Sequence, residues 1–212
     1  MYYNVSLSSY STIAPRRIPQ QQRGRRRVSA FLRAAASVFS ELGYERATMS
    51  AIARRAHSSI GSLYQFFPNK RSVAEALRSQ YIKNIEQYWI TLAEQANALT
   101  AEELVGRLVA LQLQIIEHHS ALLALLDLPP TPRTSKQREL IRTRIATVLI
   151  SHKPRLSKTT AARVAAVVQQ ISRGILMLYG KTEASQKSAV IEEFKAVLTG
   201  YLVPKLKSKT QF

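Results

Sequence analysis

Apolar side chains first recur at three- and four-residue spacing at Val28, Phe31, Leu32, Ala35, Val38, Phe39 and Leu42, a single stripe along one helix. Gly43 stops that helix, as a glycine in the left-handed position past a helix end does. Thr48 reads as the N-cap of a short helix burying Ile52, Ala53 and Ala56. After His57 and Ser58, Ser59 caps a second short helix carrying Ile60, Leu63 and Phe67. Pro68 and Asn69 break it, and Asn69 caps a long fourth helix. This one keeps Val73, Leu77, Tyr81, Ile85, Tyr88 or Trp89, and Leu92 in register to about residue 97. Thr100 opens a helix reaching about residue 117 that is apolar on most sides, so a central place is expected. His118, His119 and Ser120 mark a bend before a short helix over 121–128, and Pro129, Pro130 and Pro132 enforce a loop. Further helices are expected at 135–150, 158–179 and 183–202, with Gly180 separating the last two and Pro204 ending the last. The pattern predicts an all-α fold.

Residues 1–24 have no helical period and no acid, and are rich in Ser, Gln, Pro and Arg. Such a segment buries too little apolar surface to offset its ordering entropy, so a disordered basic arm is expected. It leads into the run Arg23, Gly24, Arg25, Arg26, Arg27.

Composition narrows the function classes. The chain has 212 residues, 46% of them hydrophobic, and no cysteine, which removes disulfide frameworks and cysteine-held zinc. Four scattered histidines leave little for other metal sites, and no metal or cofactor is expected. No apolar run exceeds six residues, against roughly 20 needed to span a bilayer. A soluble, cytoplasmic protein is the expectation. Charge says more: 31 Lys and Arg against 13 acids give +18, a surface that attracts polyanions, nucleic acid foremost. Residues 1–70 carry eleven basic and two acidic side chains; residues 71–212 carry twenty and eleven. The surplus is therefore densest at the N-terminal end.

The two short helices over 48–67, joined by a tight turn and preceded by a supporting helix, form a helix-turn-helix arrangement. Small or apolar residues on the inner faces (Ala53, Ala56, Leu63) let the helices cross closely. The second helix then turns Ser58, Ser59, Ser62, Tyr64 and Gln65 outward, with Gly61 permitting close backbone approach, and its terminal amides suit a phosphate. Short capped helices with small residues also occur in ordinary bundles, so the pattern alone leaves both readings open.

The segment 27–77 resembles the DNA-binding domain of the TetR family of bacterial transcriptional regulators. The elements that carry the resemblance are Ala35-Ala36-Ser37-Val38-Phe39, Leu42-Gly43-Tyr44, Thr48, Ile52-Ala53-Arg54-Arg55-Ala56, and Gly61-Ser62-Leu63-Tyr64-Gln65-Phe66-Phe67-Pro68-Asn69-Lys70. The resemblance covers a quarter of the chain; the remainder matches only as a helical domain of suitable length. It implies a DNA-binding domain over 25–85 and a ligand-binding and dimerisation domain over 86–212. It also implies that Tyr64 and Lys70 hold phosphates and that Thr48 contacts the DNA backbone. Ser50, Ser59, Ile60, Gly61, Ser62 and Gln65 then sit where family members touch bases or neighbouring phosphates. Arg25, Arg26 and Arg27 would add sequence-independent affinity, in the minor groove or along phosphates. One departure stands in the turn, where the family usually has Gly-Val and this chain has His57-Ser58. A non-glycine at positive φ costs about 1 kcal/mol there.

A single recognition helix reads too few bases, so the resemblance implies a homodimer on a palindromic operator, joined through the last two helices. Val164, Ala165, Val168, Ile171 and Ile175 form one candidate stripe; Val190, Ile191, Phe194, Val197, Leu198 and Tyr201 form the other. It also implies a small-molecule effector of unspecified identity, for which Trp89, Leu111, Ile115, His118, Leu122, Met177 and Tyr179 are candidate lining residues; a plain core fits each of them better. The function expected is a sequence-specific regulator of double-stranded DNA, by default a repressor released by its ligand. An activator, or a ligand-independent or non-specific DNA-binding protein on the same fold, is the alternative. Catalysis finds no support: there is no Gly-rich phosphate loop, no His-Glu pair at metal-binding spacing and no nucleophile motif.

Overall fold

The computed structural model describes residues 22–208 apart from 127 and 130. The expected disordered arm lies outside the described residues except for its last three, and Pro130 of the expected loop lies outside them as well. Among the described residues every regular element is helical, and the chain divides into two units, 1–78 and 79–212.

The first unit holds α1 (Gln22–Arg46), α2 (Met49–Arg55), α3 (Ile60–Phe66) and the start of α4 (Lys70–Gln95). Its core is the stripe read from the sequence: Phe31, Leu32, Ala35, Val38 and Phe39 of α1 are buried, with Ile52, Ala53, Leu63, Phe66, Phe67, Val73 and Leu77. α2 packs against both α1 and α3. Leu42, which closes the expected stripe, is exposed instead, because the backbone swings away at Gly43 (φ 74°, ψ 166°).

α1 begins earlier than the composition implies. Residues 22–24 are helical, and Arg23, Arg25, Arg26 and Arg27 stand exposed on the opening turns of a helix. Gly24 does not prevent this: a helical glycine costs only about 1 kcal/mol relative to alanine, and arginine is a good helix former. Arg25, Arg26 and Arg27, which follow the expected arm, are therefore held at fixed helical spacing.

The second unit is built from the remainder of α4, α5 (Ala101–His118), α6 (Ala121–Leu125), α7 (Pro132–His152), α8 (Lys158–Lys181) and α9 (Lys187–Lys207). α5 packs on α9, α7 on α8, and α8 on α9. The central place expected for α5 holds: Leu104, Val105, Leu108, Val109, Leu111, Ile115 and Ile116 are all buried. Its start is a capping box, with the Glu103 amide donating to the Thr100 hydroxyl (3.2 Å) and the Thr100 amide donating to the Glu103 carboxylate (2.7 Å).

Three prolines and glycines act differently from their usual punctuation. Pro132 opens α7 rather than ending a loop, because Thr131 caps the helix through the Thr134 amide (3.2 Å) and the missing proline N–H is one that a first turn leaves unpaired anyway. Gly180 lies within α8. Pro204 lies within α9. An interior proline costs about 3 kcal/mol, whereas burying Leu198, Leu202 and Leu206 on this helix is worth about 1.5–3 kcal/mol each, so burial wins.

The stripe expected to dimerise on α8 is internal. Val164, Ala165, Val168 and Ile175 are buried within the subunit, as is Leu198 of α9. The exposed apolar residues of α8 lie beside that stripe, at Val167 (39% exposed) and Leu178 (48%), whereas on α9 Val197 (52%), a member of the expected stripe, is itself exposed.

Candidate nucleic-acid interface

α2 and α3 are positioned by caps that the sequence specifies. The Ala51 amide donates to the Thr48 hydroxyl (3.1 Å), and the Ser62 amide to the Ser59 hydroxyl (3.2 Å). Between the helices, the His57 amide donates to the Arg54 carbonyl and the Ser58 amide to the Ala53 carbonyl, both at 3.0 Å. This paired closure is the Schellman motif, and it places His57 at φ 49°, a non-glycine residue in the left-handed region. The departure noted in the turn thus falls on the strained position itself. Replacing His57 by glycine is expected to raise the stability of the first unit by about 1 kcal/mol, read as a higher denaturation midpoint with an unchanged slope; a lower midpoint would show that the imidazole is needed there.

The outer face of α3 offers Ile60 and Tyr64, each 42% exposed, together with exposed Gly61 and Gln65. Thr48, Ser50 and Ser59 are exposed on the same unit. Ser62 differs from expectation: its hydroxyl is buried and unpaired, so it does not present a polar side chain on that face. Ser62 lies two residues from Tyr64, about 200° round the helix, so the two side chains point to nearly opposite sides.

Lys70 is engaged within the first unit. Its ammonium donates to the carbonyls of Tyr44 (2.7 Å) and Glu45 (3.0 Å) and lies 4.4 Å from the centre of the Tyr44 ring. Those carbonyls end α1, where the last turn leaves acceptors unpaired. Two of its three N–H groups are therefore spent tying the end of α1 to the start of α4. Asn69 caps α4 beside it, accepting from the Ser72 amide at 2.9 Å.

Electrostatics favours a polyanion along this stretch. No acidic residue occurs between Glu45 and Glu75, while Arg46, Arg54, Arg55, Lys70 and Arg71 do. This gap was available to sequence reading and sharpens the bulk charge into a location. Arg55 is occupied by Glu41, with two contacts of 2.7 Å. Hydrogen bonds from Arg55, then from Ser37, hold the exposed Glu41 carboxyl down to about 2.

The residues expected to line an effector pocket differ widely in exposure. Leu111 and Ile115 are core. His118 is exposed, its Nδ1 2.8 Å from the Gln114 carbonyl, and Tyr179 packs on Ile116, Ile175 and Leu176. Leu122 and Met177 are half-buried. Trp89 lines a cleft of about 250 Å³, which it shares with Ile90, Ala93, Glu94 and Arg144. The neighbouring His119, missed as a structural residue, is buried against Tyr81 with ring centres 4.4 Å apart. Burial, and secondarily His118, pushes its imidazole below the ordinary histidine range.

The sequence signature of the bacterial regulatory proteins of the tetR family matches residues 31–77, and that of the tetracycline repressor-like C-terminal domain matches residues 98–202. The chain belongs to the TetR family. As a member it is a DNA-binding transcriptional regulator. The A-factor receptor protein of Streptomyces griseus is 45% identical over 53 residues, which is 25% of this chain and 19% of that protein. A TetR-family regulator from Streptomyces coelicolor superposes with a TM-score of 0.61 at 24% identity, covering 83% of this chain and 97% of the other. FadR of Bacillus subtilis, solved in complex with stearoyl-CoA, gives 0.59 at 18% identity over 82% and 97%. At such identities the structural likeness establishes the TetR fold alone. Among the described residues no helix is long and apolar enough to cross a membrane, and no group of three His, Asp or Glu is placed to hold a metal.

Proposed function

We propose that the protein binds a palindromic operator as a homodimer and represses transcription until a small molecule, held by its C-terminal unit, releases it. The carrying observation is the exposed face of α3, where Ile60, Gly61, Tyr64 and Gln65 stand free on a helix whose inner residues Leu63 and Phe66 are buried. An exposed isoleucine on a polar face fits a thymine methyl, Gln65 fits an adenine edge, and the Tyr64 hydroxyl fits a phosphate oxygen. Thr48, Ser50 and Ser59 supply flanking backbone contacts. Arg25, Arg26 and Arg27 supply phosphate contacts from one helix end. Lys70 acts through the fold, by holding the end of α1, rather than as a free phosphate clamp.

Of the six large hydrophobics exposed among the described residues, Ile60 and Tyr64 lie on α3, and Val167, Leu178 and Val197 lie on α8 and α9. The second group supports dimerisation. Val167, Ile171, Gly174 and Leu178 recur at four-, three- and four-residue spacing, as do Val190, Phe194, Val197 and Tyr201, the seam pattern of helices that pair side by side. The named A-factor receptor and the stearoyl-CoA complex of FadR support an effector of some kind for this chain. An effector moves the operator equilibrium only by its difference in affinity for the two states. This role requires no catalysis or cofactor and places the protein with the chromosome in the cytoplasm.

Selecting bound genomic fragments at physiological salt and footprinting the recovered sites tests the reading. A discrete two-fold-symmetric footprint is expected; uniform protection along the fragment would make the protein a DNA coat instead. In the same assay Tyr64→Ala is expected to weaken operator binding about tenfold, the loss of one phosphate hydrogen bond and its ring contact. Its exposure means that the circular dichroism and melting temperature stay as they are. Unchanged affinity would remove Tyr64 from the interface.

A further inference from the structure

Two residues that line one cleft each hold a buried donor without an acceptor. Trp89 is 2% exposed, and its indole Nε1–H has no acceptor. Arg144, on α7, spends one end of its guanidinium on Glu86, while its Nε–H is buried and unpaired. Buried donors are nearly always paired in folded proteins, and these two are side chains on the wall of one cleft of about 250 Å³. Ile90 and Ala93 make its neighbouring wall apolar. A concave, mostly apolar space with a few convergent donors is the general form of a small-molecule site.

The charges around it select the ligand's head group. Arg144 is neutralised by Glu86, and Glu94 adds a second carboxylate to the lining. A carboxylate or phosphate entering would be repelled by more negative charge than it could pair. A neutral acceptor escapes that penalty and still satisfies the donors.

We propose that this cleft binds a small neutral molecule with an apolar body and a carbonyl-type oxygen, the oxygen accepting from Trp89 Nε1 or Arg144 Nε while the body lies along Ile90 and Ala93. Its biological role rests on the effector reading above. Both donors are shielded from bulk water, so a side-chain adjustment of Trp89 or Arg144 accompanies entry.

Trp89 is the sole tryptophan of the chain, so intrinsic fluorescence of the full-length protein reads this cleft directly. Methyl hexanoate is the probe and hexanoate its charged counterpart. A saturable change in Trp89 emission with the ester is expected, and hexanoate is expected to bind at least about tenfold more weakly. The double variant Arg144→Met with Glu86→Gln removes one donor without stranding a charge and should weaken the ester about tenfold by calorimetry. Ala93→Phe fills the cleft while sparing both donors and should abolish binding, so a folding defect in the first variant does not leave the matter unresolved. No saturable response to the ester, equal affinity for hexanoate, or full ester binding by Ala93→Phe overturns the proposal. Operator release is read separately, by anisotropy of labelled operator. A cell-extract fraction that releases operator equally from wild type and Ala93→Phe, with Trp89 emission unchanged, overturns the cleft and leaves the effector reading standing. Ester binding with operator retained under every fraction supports the cleft and overturns the effector reading.

Discussion

Leu178→Glu combined with Val197→Glu is expected to convert the protein to monomers and to lower operator affinity at least about a hundredfold. The two side chains are 48% and 52% exposed in the single chain, so glutamate at either position meets water in the monomer and costs the fold little. In a paired four-helix interface each carboxylate would be buried without a partner, at several kcal/mol apiece. Losing the second recognition helix then removes half of the base and phosphate contacts at once. Sedimentation equilibrium gives the mass and operator anisotropy the affinity. A dimer that survives both substitutions would move the interface elsewhere on the molecule. A monomer with undiminished operator affinity would deny that pairing serves DNA recognition.

Val197 stands in the stripe that the sequence pattern names on α9, whereas Leu178 marks where that pattern stops. Helical period marks which residues are apolar together, and on α8 it names Val164, Ala165, Val168 and Ile175. These side chains are buried against the subunit's own helices. Val167 and Leu178 sit just outside that stripe and are exposed. A helix packed on two sides carries two apolar stripes, and period alone does not say which belongs to the subunit and which to a partner.

Local chemistry was the most legible layer. Thr48, Ser59 and Asn69 cap the helices that their positions imply, because a cap is decided within three residues of itself. The left-handed residue of the turn was legible too, at His57. Rules for single residues failed where position in the helix or burial outweighed them. Gly24, Gly180 and Pro204 all lie inside helices, and Pro132 starts one. Least legible were contacts closed by long loops. Lys70 reaches carbonyls 25 and 26 residues back, and Arg144 finds Glu86 58 residues away. Nothing in the flanking sequence distinguishes a lysine that grips a phosphate from one that grips the end of a helix.

That distinction makes Phe39→Ala the sharper probe of how the first unit holds its DNA-facing helices. Phe39 is fully buried, and its ring lies 5.6 Å from that of Tyr44. Tyr44 in turn offers its carbonyl and its ring to the Lys70 ammonium. Truncating a buried phenylalanine to alanine costs about 3–5 kcal/mol, against a stability near the lower end of about 5–15 kcal/mol expected for so small a unit. The variant is therefore expected to lose hydrogen-exchange protection throughout α1, α2 and α3 and to lose operator binding, while α7 and α8, with their own core at Ile145, Leu149 and Val168, keep theirs. Phe39→Leu, which preserves most of the volume, should cost under about 1.5 kcal/mol and retain binding. If Phe39→Ala leaves α3 protected and the operator bound, Tyr44 and Lys70 hold their geometry without the ring beneath them. The recognition helix would then be anchored chiefly by Leu63 and Phe66. If protection is lost in both units together, the division at residue 78 does not mark an energetic boundary.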